Sequence, residues 1–476
     1  MSREKISMLW KFGLMLVIAV VIFVIPAPAG VDPRGMHMLG IFVATILGLI
    51  LQPLPTPSVA LIGLAAAMIT GAMDVSGGEA LSGFSNPAVL LIVAAFFIAD
   101  GFLLTGLGRR IALMFLTVLG RSPLGIAYGM AVTDLLLSPA TPSNTARAGG
   151  VVYPIVRSVA EVQGSTPETD ESRRRLGSYL AFTAAHVNVI TSAMFITAMA
   201  GNPLAVDAAA KLGVQISWGQ WALAALVPGL VSLAVVPWLL MKIYPPTLKE
   251  TPEAPAMARQ ELQKMGSMTR GEIVMAATFV LLLLLWVFGS IIGVSATTAA
   301  FVGIAVLLLT KVLTWSDMAK NGSAWNTLIF FAVLVGMAEN LNNLGVIDWI
   351  GKVVSGAVGG MPWGVAFVVL ALVYFYAHYM FASNTAQIVA MYSVFLGAAI
   401  SVGTPPMFAA LVLGFIGNLF GAISHYASGP SGVVYGSGYV KVSEWFKVAF
   451  IMSVAILVIW GVVGTGWMWV LGDLAV

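Results

Sequence analysis

The chain of 476 residues is 59% hydrophobic and only 9% charged, with a formal net charge of +3 and no cysteine. Since an average soluble domain carries roughly 25% charged residues, this composition excludes a soluble globular protein and predicts several membrane-spanning helices. The missing cysteines exclude disulfides and thiolate chemistry, and the small net charge gives no reason to expect nucleic-acid binding. The four histidines form no HExxH pair, so we expect neither a metal site nor a cofactor.

Long apolar runs define the predicted elements. In chain order, about eleven runs predict membrane-spanning helices near residues 10–28, 37–54, 57–73, 85–105, 176–200, 220–243, 272–292, 296–313, 324–342, 406–426 and 445–472. The first run follows basic residues, as in a signal peptide, but it is long enough to span and no small-residue cleavage site follows. We therefore expect a retained first helix in an all-α polytopic membrane protein.

Two further apolar segments, residues 122–160 and 361–400, are each interrupted by the same polar tripeptide. The tripeptides are Ser143, Asn144 and Thr145 in the first segment and Ser383, Asn384 and Thr385 in the second, 240 residues later. With the N-terminus in the cytoplasm, most loop lysines and arginines fall on the cytoplasmic side, as the positive-inside rule requires. That agreement holds only if both tripeptide segments return to the side from which they enter. Both are therefore predicted to be re-entrant hairpins.

The polar segment 245–271 divides the chain into halves with related sequences, residues 1–244 and 272–476. Gly63 and Gly303 are separated by 240 residues, as are the tripeptides, and further matches keep nearly the same separation. Under the topology above, the halves begin on opposite sides of the membrane. We therefore predict two inverted repeats joined by a cytoplasmic linker.

The tripeptides are candidates for a substrate site at the membrane midplane. Serine or asparagine caps the first N–H groups of a half-helix, and those groups together with the helix dipole attract an anion. Two such tips brought together by inverted repeats would suit a ligand with two separated carboxylates. The alternative is that both tripeptides only cap helices at membrane breaks.

Each half contains a second helix break downstream of its tripeptide. The candidate substrate-binding residues there are Asn202 and Pro203 in the first half, and Ser428, Gly429, Pro430 and Ser431 in the second. Proline removes a backbone donor and glycine loosens the chain, so both leave backbone groups free for a ligand. Ordinary loops between helices are the alternative.

Three basic side chains are candidates for charge compensation. Arg147 follows the first tripeptide by two residues, and no acidic residue lies nearby in sequence, so we expect it to neutralise the substrate or the empty site. His425 and His378 lie close to the second site in sequence and could add charge or hydrogen bonds. For each histidine the alternative is a packing role.

Taken together, the paired tripeptides, the downstream breaks, the central loop and the eleven spans closely resemble the divalent anion:sodium symporter family of di- and tricarboxylate carriers. The resemblance covers nearly the whole chain. It implies a homodimer in the cell (inner) membrane, in which scaffold and transport domains interleave both repeats and transport follows an elevator mechanism. It also implies that both tripeptides, and less firmly both downstream breaks, contact the substrate.

Departures from the family pattern concern the coupling ion. Sodium-coupled members carry Ser or Thr four residues before each motif serine, whereas this chain has Pro139 and Tyr379. With Arg147 in addition, the first segment resembles the exchanger branch, which includes citrate/succinate, tartrate/succinate and 2-oxoglutarate/malate translocators. Sodium-coupled symport remains the alternative. An intramembrane serine hydrolase is disfavoured because no GxSxG motif occurs, and a channel is disfavoured by the inverted repeats.

Overall fold

The computed structural model describes residues 3–473, which contain helices and connecting turns but no strand. The helices of the first half are α1 Arg3–Phe23, α2 Pro33–Leu51, α3 Thr56–Ile69, α4 Pro87–Thr105, α5 Leu107–Leu119, α6 Pro123–Leu137, α7 Asn144–Arg147, α8 Tyr153–Val162, α9 Asp170–Arg175, α10 Gly177–Met194, α11 Gly201–Lys211 and α12 Trp218–Ile243. The remaining helices are α13 Glu253–Met265, α14 Arg270–Ile292, α15 Ala296–Leu309, α16 Trp315–Lys320, α17 Gly322–Asn343, α18 Val346–Ala357, α19 Trp363–Tyr376, α20 Asn384–Ser401, α21 Pro406–Leu419, α22 Gly429–Gly436, α23 Val442–Val458 and α24 Thr465–Leu471. Residues 1–2 and 474–476, the outer ends of the two predicted repeats, lie outside the described residues.

Within residues 3–473, eight helices are long and apolar enough to cross a membrane, and four shorter ones are also apolar. The chain is thus a multi-pass membrane protein, and the count of eleven spans stays a prediction. The predicted span 176–200 differs from the structure, which forms α10 and then α11 up to Lys211. Phe195 and Met199 adopt extended backbone conformations between these helices, which interrupts the helical hydrogen bonding.

Two large apolar cores organise the helices. One packs α1, α2 and α3 against α17, with Met38, Ala60 and Met337 buried at its centre. The other surrounds α10 and includes Leu180, Tyr374 and the helix that carries Leu411. Both tripeptide segments pack on the second core, which therefore positions the candidate site.

The two halves share a local feature at corresponding positions. Gly106 before α5 and Gly345 before α18 both have φ 77 and ψ 5, the left-handed conformation that glycine adopts without strain. Each glycine ends a long helix and begins an amphipathic one, and a tripeptide segment follows. The chain therefore changes direction in the same way at two points that are 239 residues apart, one in each half.

The predicted linker 245–271 is more ordered than a simple polar loop. Its helix α13 lies along α5, and Arg109 contacts Glu261 at 2.7 Å. Beside it, the buried side chains of Arg110 and Glu272 form two hydrogen bonds, of 2.6 and 3.1 Å. These contacts fix the start of α14 to α5, so the linker ties the two halves together.

Candidate functional site

The first tripeptide lies where α6 gives way to α7. A turn over residues 138–140 ends α6, and Ser143 then caps α7 by accepting a hydrogen bond from the Ala146 N–H at 3.1 Å. A π-helical turn over residues 148–152 follows and leads into α8. Such a turn loosens the regular helical ladder, and Ser143, Asn144 and Thr145 remain only half-buried.

The second tripeptide repeats this arrangement between α19 and α20. A turn over residues 377–380 ends α19, and Ser383 caps α20 by accepting a hydrogen bond from the Ala386 N–H at 3.3 Å. Both tripeptides therefore begin with a capping serine, as their composition predicts. Here Asn384 and Thr385 are buried, whereas their counterparts in the first tripeptide are more exposed.

The two downstream breaks are residues 195–200, the first-half break, and residues 420–428, the second-half break. In the second, Ser428 caps α22, and the hydroxyls of Ser428 and Ser431 both donate to the Gly421 carbonyl at 2.7 Å. Their hydroxyl hydrogens are thus used to brace the break. Pro430 lies in the first turn of α22, where its missing N–H costs no helical hydrogen bond.

The first tripeptide contacts α10, which ends at the first-half break, and α22, which follows the second-half break. The Asn188 side chain on α10 donates to the Asn144 carbonyl oxygen at 3.4 Å. Thr145 packs so closely on Gly429 that a Cβ at that glycine would lie 2.0 Å from the threonine hydroxyl oxygen. The structure therefore brings Thr145 and Gly429, predicted site residues from opposite halves, into contact.

The second tripeptide is connected through a chain of carboxamides. Asn384 Nδ2 donates to the carbonyl oxygens of Gly417 and Asn418, at 3.0 and 3.3 Å. Asn418 Nδ2 donates to Asn202 Oδ1 at 2.7 Å, which extends the chain to the first-half break. The tripeptide, α21 and α11 are thus held together by hydrogen bonds between the halves.

Asn202 and Pro203, which were predicted to contact the substrate, are both buried in the first turn of α11. Asn202 Nδ2 donates to the carbonyl oxygens of Ser192 and Phe195 at 2.8 and 2.9 Å, and its Oδ1 accepts from Asn418. The fully buried carboxamide therefore braces the break and has no free donor for a substrate.

Arg147, which was expected to neutralise the substrate or the empty site, has an acidic partner from another part of the chain in the structure. Arg147 Nε donates to Asp134 Oδ1 at 2.8 Å, and both side chains are almost fully buried. The remaining guanidinium groups donate to the carbonyl oxygens of Thr141 and Ala198 and to the Ser192 hydroxyl, at 2.8, 3.0 and 2.9 Å. Asp134 also accepts a short hydrogen bond from Thr191. The positive charge is therefore balanced inside the protein.

His378 lies within the turn that precedes the second tripeptide. Its ring nitrogens lie 2.6 Å from Gln387 Oε1 and 2.8 Å from the Ala427 carbonyl oxygen, and the ring stacks on Phe420 at 3.9 Å. Gln387 Nε2 donates to the Tyr374 carbonyl oxygen at 2.6 Å. His378 thus connects the second tripeptide segment to the second-half break.

The placement of His425 does not support the predicted charge-compensating role. Its ring packs among Tyr426, Tyr435 and Phe446, with ring centroids 5.1, 4.5 and 5.9 Å away. These aromatic residues belong to the second-half break, α22 and α23. His425 is therefore part of an aromatic cluster rather than of the tripeptide contacts.

Three carboxamide oxygens near the breaks lack a hydrogen-bond donor among the described residues. They are the Oδ1 atoms of Asn188, Asn384 and Asn418, and all three side chains are buried. Buried polar atoms are nearly always partnered, and such oxygens suit a cation or a hydrogen-bond donor of a ligand. The site thus offers acceptors in addition to the N–H donors of α7 and α20.

Among the residues that the sequence analysis did not single out are Asp134, Asn188 and Asn418 at these contacts and Met199 in the first-half break. Asp134 and Arg147 lie on either side of residues 138–143, the turn at the first tripeptide. A segment that folds back at this turn brings the two side chains together. Asn188 and Asn418 are polar residues within apolar runs, and such residues often mark a functional site in a membrane protein. The sequence therefore contained a signal for both. Met199 carried no such signal, because methionine is ordinary in an apolar segment.

The chain is similar to several known proteins. The model of the sodium:sulfate symporter transmembrane region matches residues 6–474. Chloroplast dicarboxylate transporter 1 of Arabidopsis thaliana is 46% identical over 450 residues, covering 94% of this chain and 80% of that protein. The citrate/succinate antiporter of Escherichia coli is 35% identical over 464 residues, covering 94% of this chain and 95% of that protein. The crystal structure of the Alcanivorax borkumensis YdaH transporter matches 98% of both chains at 14% identity, with a TM-score of 0.54, which supports the fold alone.

Proposed function

Because the chain belongs to the sodium:sulfate symporter family over residues 6–474, we propose that this transporter exchanges one small di- or tricarboxylate for another across the membrane. Its substrates are of the succinate, malate, 2-oxoglutarate, tartrate or citrate type. A relative named as a dicarboxylate transporter and another named as a citrate/succinate antiporter support this substrate class.

The observation that carries the proposal is the pairing of two capped half-helices. Ser143 and Ser383 cap the starts of α7 and α20, where the first N–H groups have no carbonyl partner within the helix. Contacts of Thr145 with Gly429, and of Asn384 with α21, bring the two regions into one network. Each helix start is suited to one carboxylate, so a substrate with two separated carboxylates can engage both.

The proposed movement is an elevator in which the tripeptide segments are re-entrant hairpins of two inverted repeats. The core of α1, α2, α3 and α17 is the scaffold, while α10, α11 and both tripeptide segments belong to the mobile domain. Lys211 on α11 contacts Asp207 at 3.0 Å and Glu339 on α17 at 3.6 Å, so one ion network bridges the two parts. The unit is a homodimer in the cell membrane, with its N-terminus in the cytoplasm.

The residues four positions before the motif serines favour exchange without sodium. Pro139 has no hydroxyl, and the Tyr379 hydroxyl stands at the far end of an aromatic ring, so neither position offers the short aliphatic hydroxyl that sodium-coupled members have there. The buried pair of Arg147 and Asp134 adds no net charge to the empty site, so a fixed positive charge does not explain why the empty carrier would fail to return. The cost of moving the empty site instead lies in its unpartnered polar groups, which hydrocarbon cannot solvate.

Sodium-coupled symport is the second candidate, and one observation favours it. The unpartnered Oδ1 atoms of Asn188, Asn384 and Asn418 are oxygen ligands of the kind that coordinate sodium at broken helices. A cation bound there would also offset the charge of a carboxylate substrate.

Counterflow in proteoliposomes separates the two candidates. Purified carrier is reconstituted with unlabelled malate inside, and uptake of labelled succinate is measured with and without a sodium gradient. Exchange predicts uptake that requires internal malate and is independent of sodium. Uptake into vesicles without internal dicarboxylate, driven by sodium, would establish symport, and equal inactivity under all conditions would contradict dicarboxylate transport.

The elevator movement is testable by cross-linking, because the natural chain contains no cysteine. The double variant Lys211→Cys/Glu339→Cys, treated with a short bifunctional thiol reagent, should lose exchange because α11 is then fixed to α17. The matched control is Asp207→Cys/Lys211→Cys, whose cross-link lies within α11. If the first cross-link forms fully and exchange continues, the two helices do not move relative to each other during transport.

A further inference from the structure

Met199 is a buried residue of the first-half break, with 2% of its surface exposed. The Gly201 N–H donates to its Sδ at 2.9 Å, and the Thr385 hydroxyl donates to the same sulfur at 3.9 Å. One thioether atom therefore joins the start of α11, in the first half, to the second tripeptide.

The donor on Gly201 is distinctive because the first turn of α11 has few others. The Asn202 N–H donates to the Met199 carbonyl oxygen at 3.0 Å, and Pro203 has no N–H. The Gly201 N–H is thus a first-turn donor with no helical partner, and a sulfur atom accepts from it. Thioether sulfur is a weak acceptor, whereas a carboxylate oxygen is a strong one and is favoured further by the helix dipole.

We propose that Met199 is a displaceable plug of the substrate site. Its Sδ takes the position of a carboxylate oxygen between the Gly201 N–H and the Thr385 hydroxyl, and the substrate displaces it on binding. This role rests on the proposed carboxylate transport. Because side chain and substrate compete for the same donors, the acceptor strength of residue 199 sets the substrate affinity.

Three variants of similar size test this competition through the half-saturation concentration for malate in counterflow. Met199→Leu keeps the apolar volume but has no acceptor, so malate should bind about two- to tenfold more tightly, as the loss of one hydrogen bond predicts. Met199→Gln supplies a carboxamide oxygen and should weaken malate binding by a similar factor. Met337→Leu, in the scaffold core, is the control for a general methionine-to-leucine effect and should leave the half-saturation concentration unchanged.

The expected order of half-saturation concentrations is Gln above Met above Leu, at unchanged melting temperature. A purely structural role predicts lower maximal rates and lower melting temperatures in both variants instead. If wild-type carrier exchanges malate but the order is flat or reversed, the plug is overturned and the transport function stands. If the wild type exchanges no dicarboxylate, the proposed function fails and the plug fails with it.

A measurement on the unmodified carrier covers the case in which the variants do not fold. In carrier labelled at its methionine methyl groups, saturating malate should shift the Met199 resonance, since the side chain leaves its two donors. The Met337 resonance should stay in place. Both resonances are assigned by their loss in the leucine variants or, if these fail, in the corresponding isoleucine variants. An unshifted Met199 resonance at saturating malate overturns the plug.

Discussion

The two tripeptide segments share one backbone plan but stabilise it with different chemistry. In the first, Asp134 on α6 and Arg147 on α7 form a buried ion pair across the turn that precedes the tripeptide. In the second, the residues 240 positions later are Tyr374 and Gln387, and Gln387 bonds to a backbone carbonyl and to His378. Since Ser143 and Ser383 cap their helices alike, the break itself does not require charge.

The difference shows what the ion pair adds. The Arg147 guanidinium reaches Thr141, Ala198 and Ser192, so it holds the first tripeptide segment to the first-half break as well as to α6. The network around His378 makes the corresponding connection to Ala427. Both segments are tied to the break in their own half, one through a salt bridge and the other through an imidazole.

Removing one member of the ion pair should have the largest effect. Either Asp134→Asn or Arg147→Gln leaves an unpaired buried charge, which costs about 3–5 kcal/mol of folding free energy, so the protein should be strongly destabilised and inactive. The double variant Asp134→Asn/Arg147→Gln removes both charges of the buried pair and should be more stable than either single variant. Thermal unfolding in detergent measures this coupling.

The exposed pair of Arg157 and Glu161 supplies the control for that experiment. Arg157→Gln should not change the melting temperature measurably, because exposed ion pairs contribute little. Additive effects of the two single substitutions at Asp134 and Arg147 would show that the buried pair is not a unit.

A methyl group at Gly429 should break the contact between the halves. In Gly429→Ala the new Cβ would lie 2.0 Å from the Thr145 hydroxyl oxygen and 3.1 Å from its Cβ, an overlap that costs about 2 kcal/mol to relieve and displaces the first tripeptide. We expect a large loss of exchange. Gly432→Ala, in the same helix, meets nothing within 4 Å and should exchange normally. Equal activity of both variants would mean that the Thr145 contact is dispensable.

Substitution of the two tripeptide asparagines should distinguish an effect on substrate binding from an effect on folding stability. Asn384→Ala removes the hydrogen bonds to Gly417 and Asn418, so it should lose exchange and about 1 kcal/mol of stability. Within the described residues the Asn144 side chain makes no hydrogen bond, so Asn144→Ala should lose exchange while the melting temperature is kept. Melting curves with counterflow assays compare them, and an equal loss of stability would show that both asparagines act as braces.

The helix breaks and their caps were accessible from the sequence because they depend on neighbouring residues. Apolar runs, proline, glycine and a capping serine act within a few positions, and the duplicated tripeptide identified the corresponding point in each half. The expected start of α10 and the second-half break near Ser428 agree with the structure. The sequence analysis did not predict the helix α11, because Gly201 and Pro203 at its start are also compatible with the end of a loop.

The roles of individual side chains were decided by tertiary structure. Arg147 seemed unpaired along the chain, but folding places Asp134 against it, and folding also commits the Asn202 carboxamide to a brace and directs His425 into an aromatic cluster. Met199 gained its position between Gly201 and Thr385 only when the two halves packed together. Sequence by itself determined the breaks at the two tripeptides and near Ser428, since capping and hydrophobic burial act locally. Partnership between residues far apart depends on how the broken helices pack.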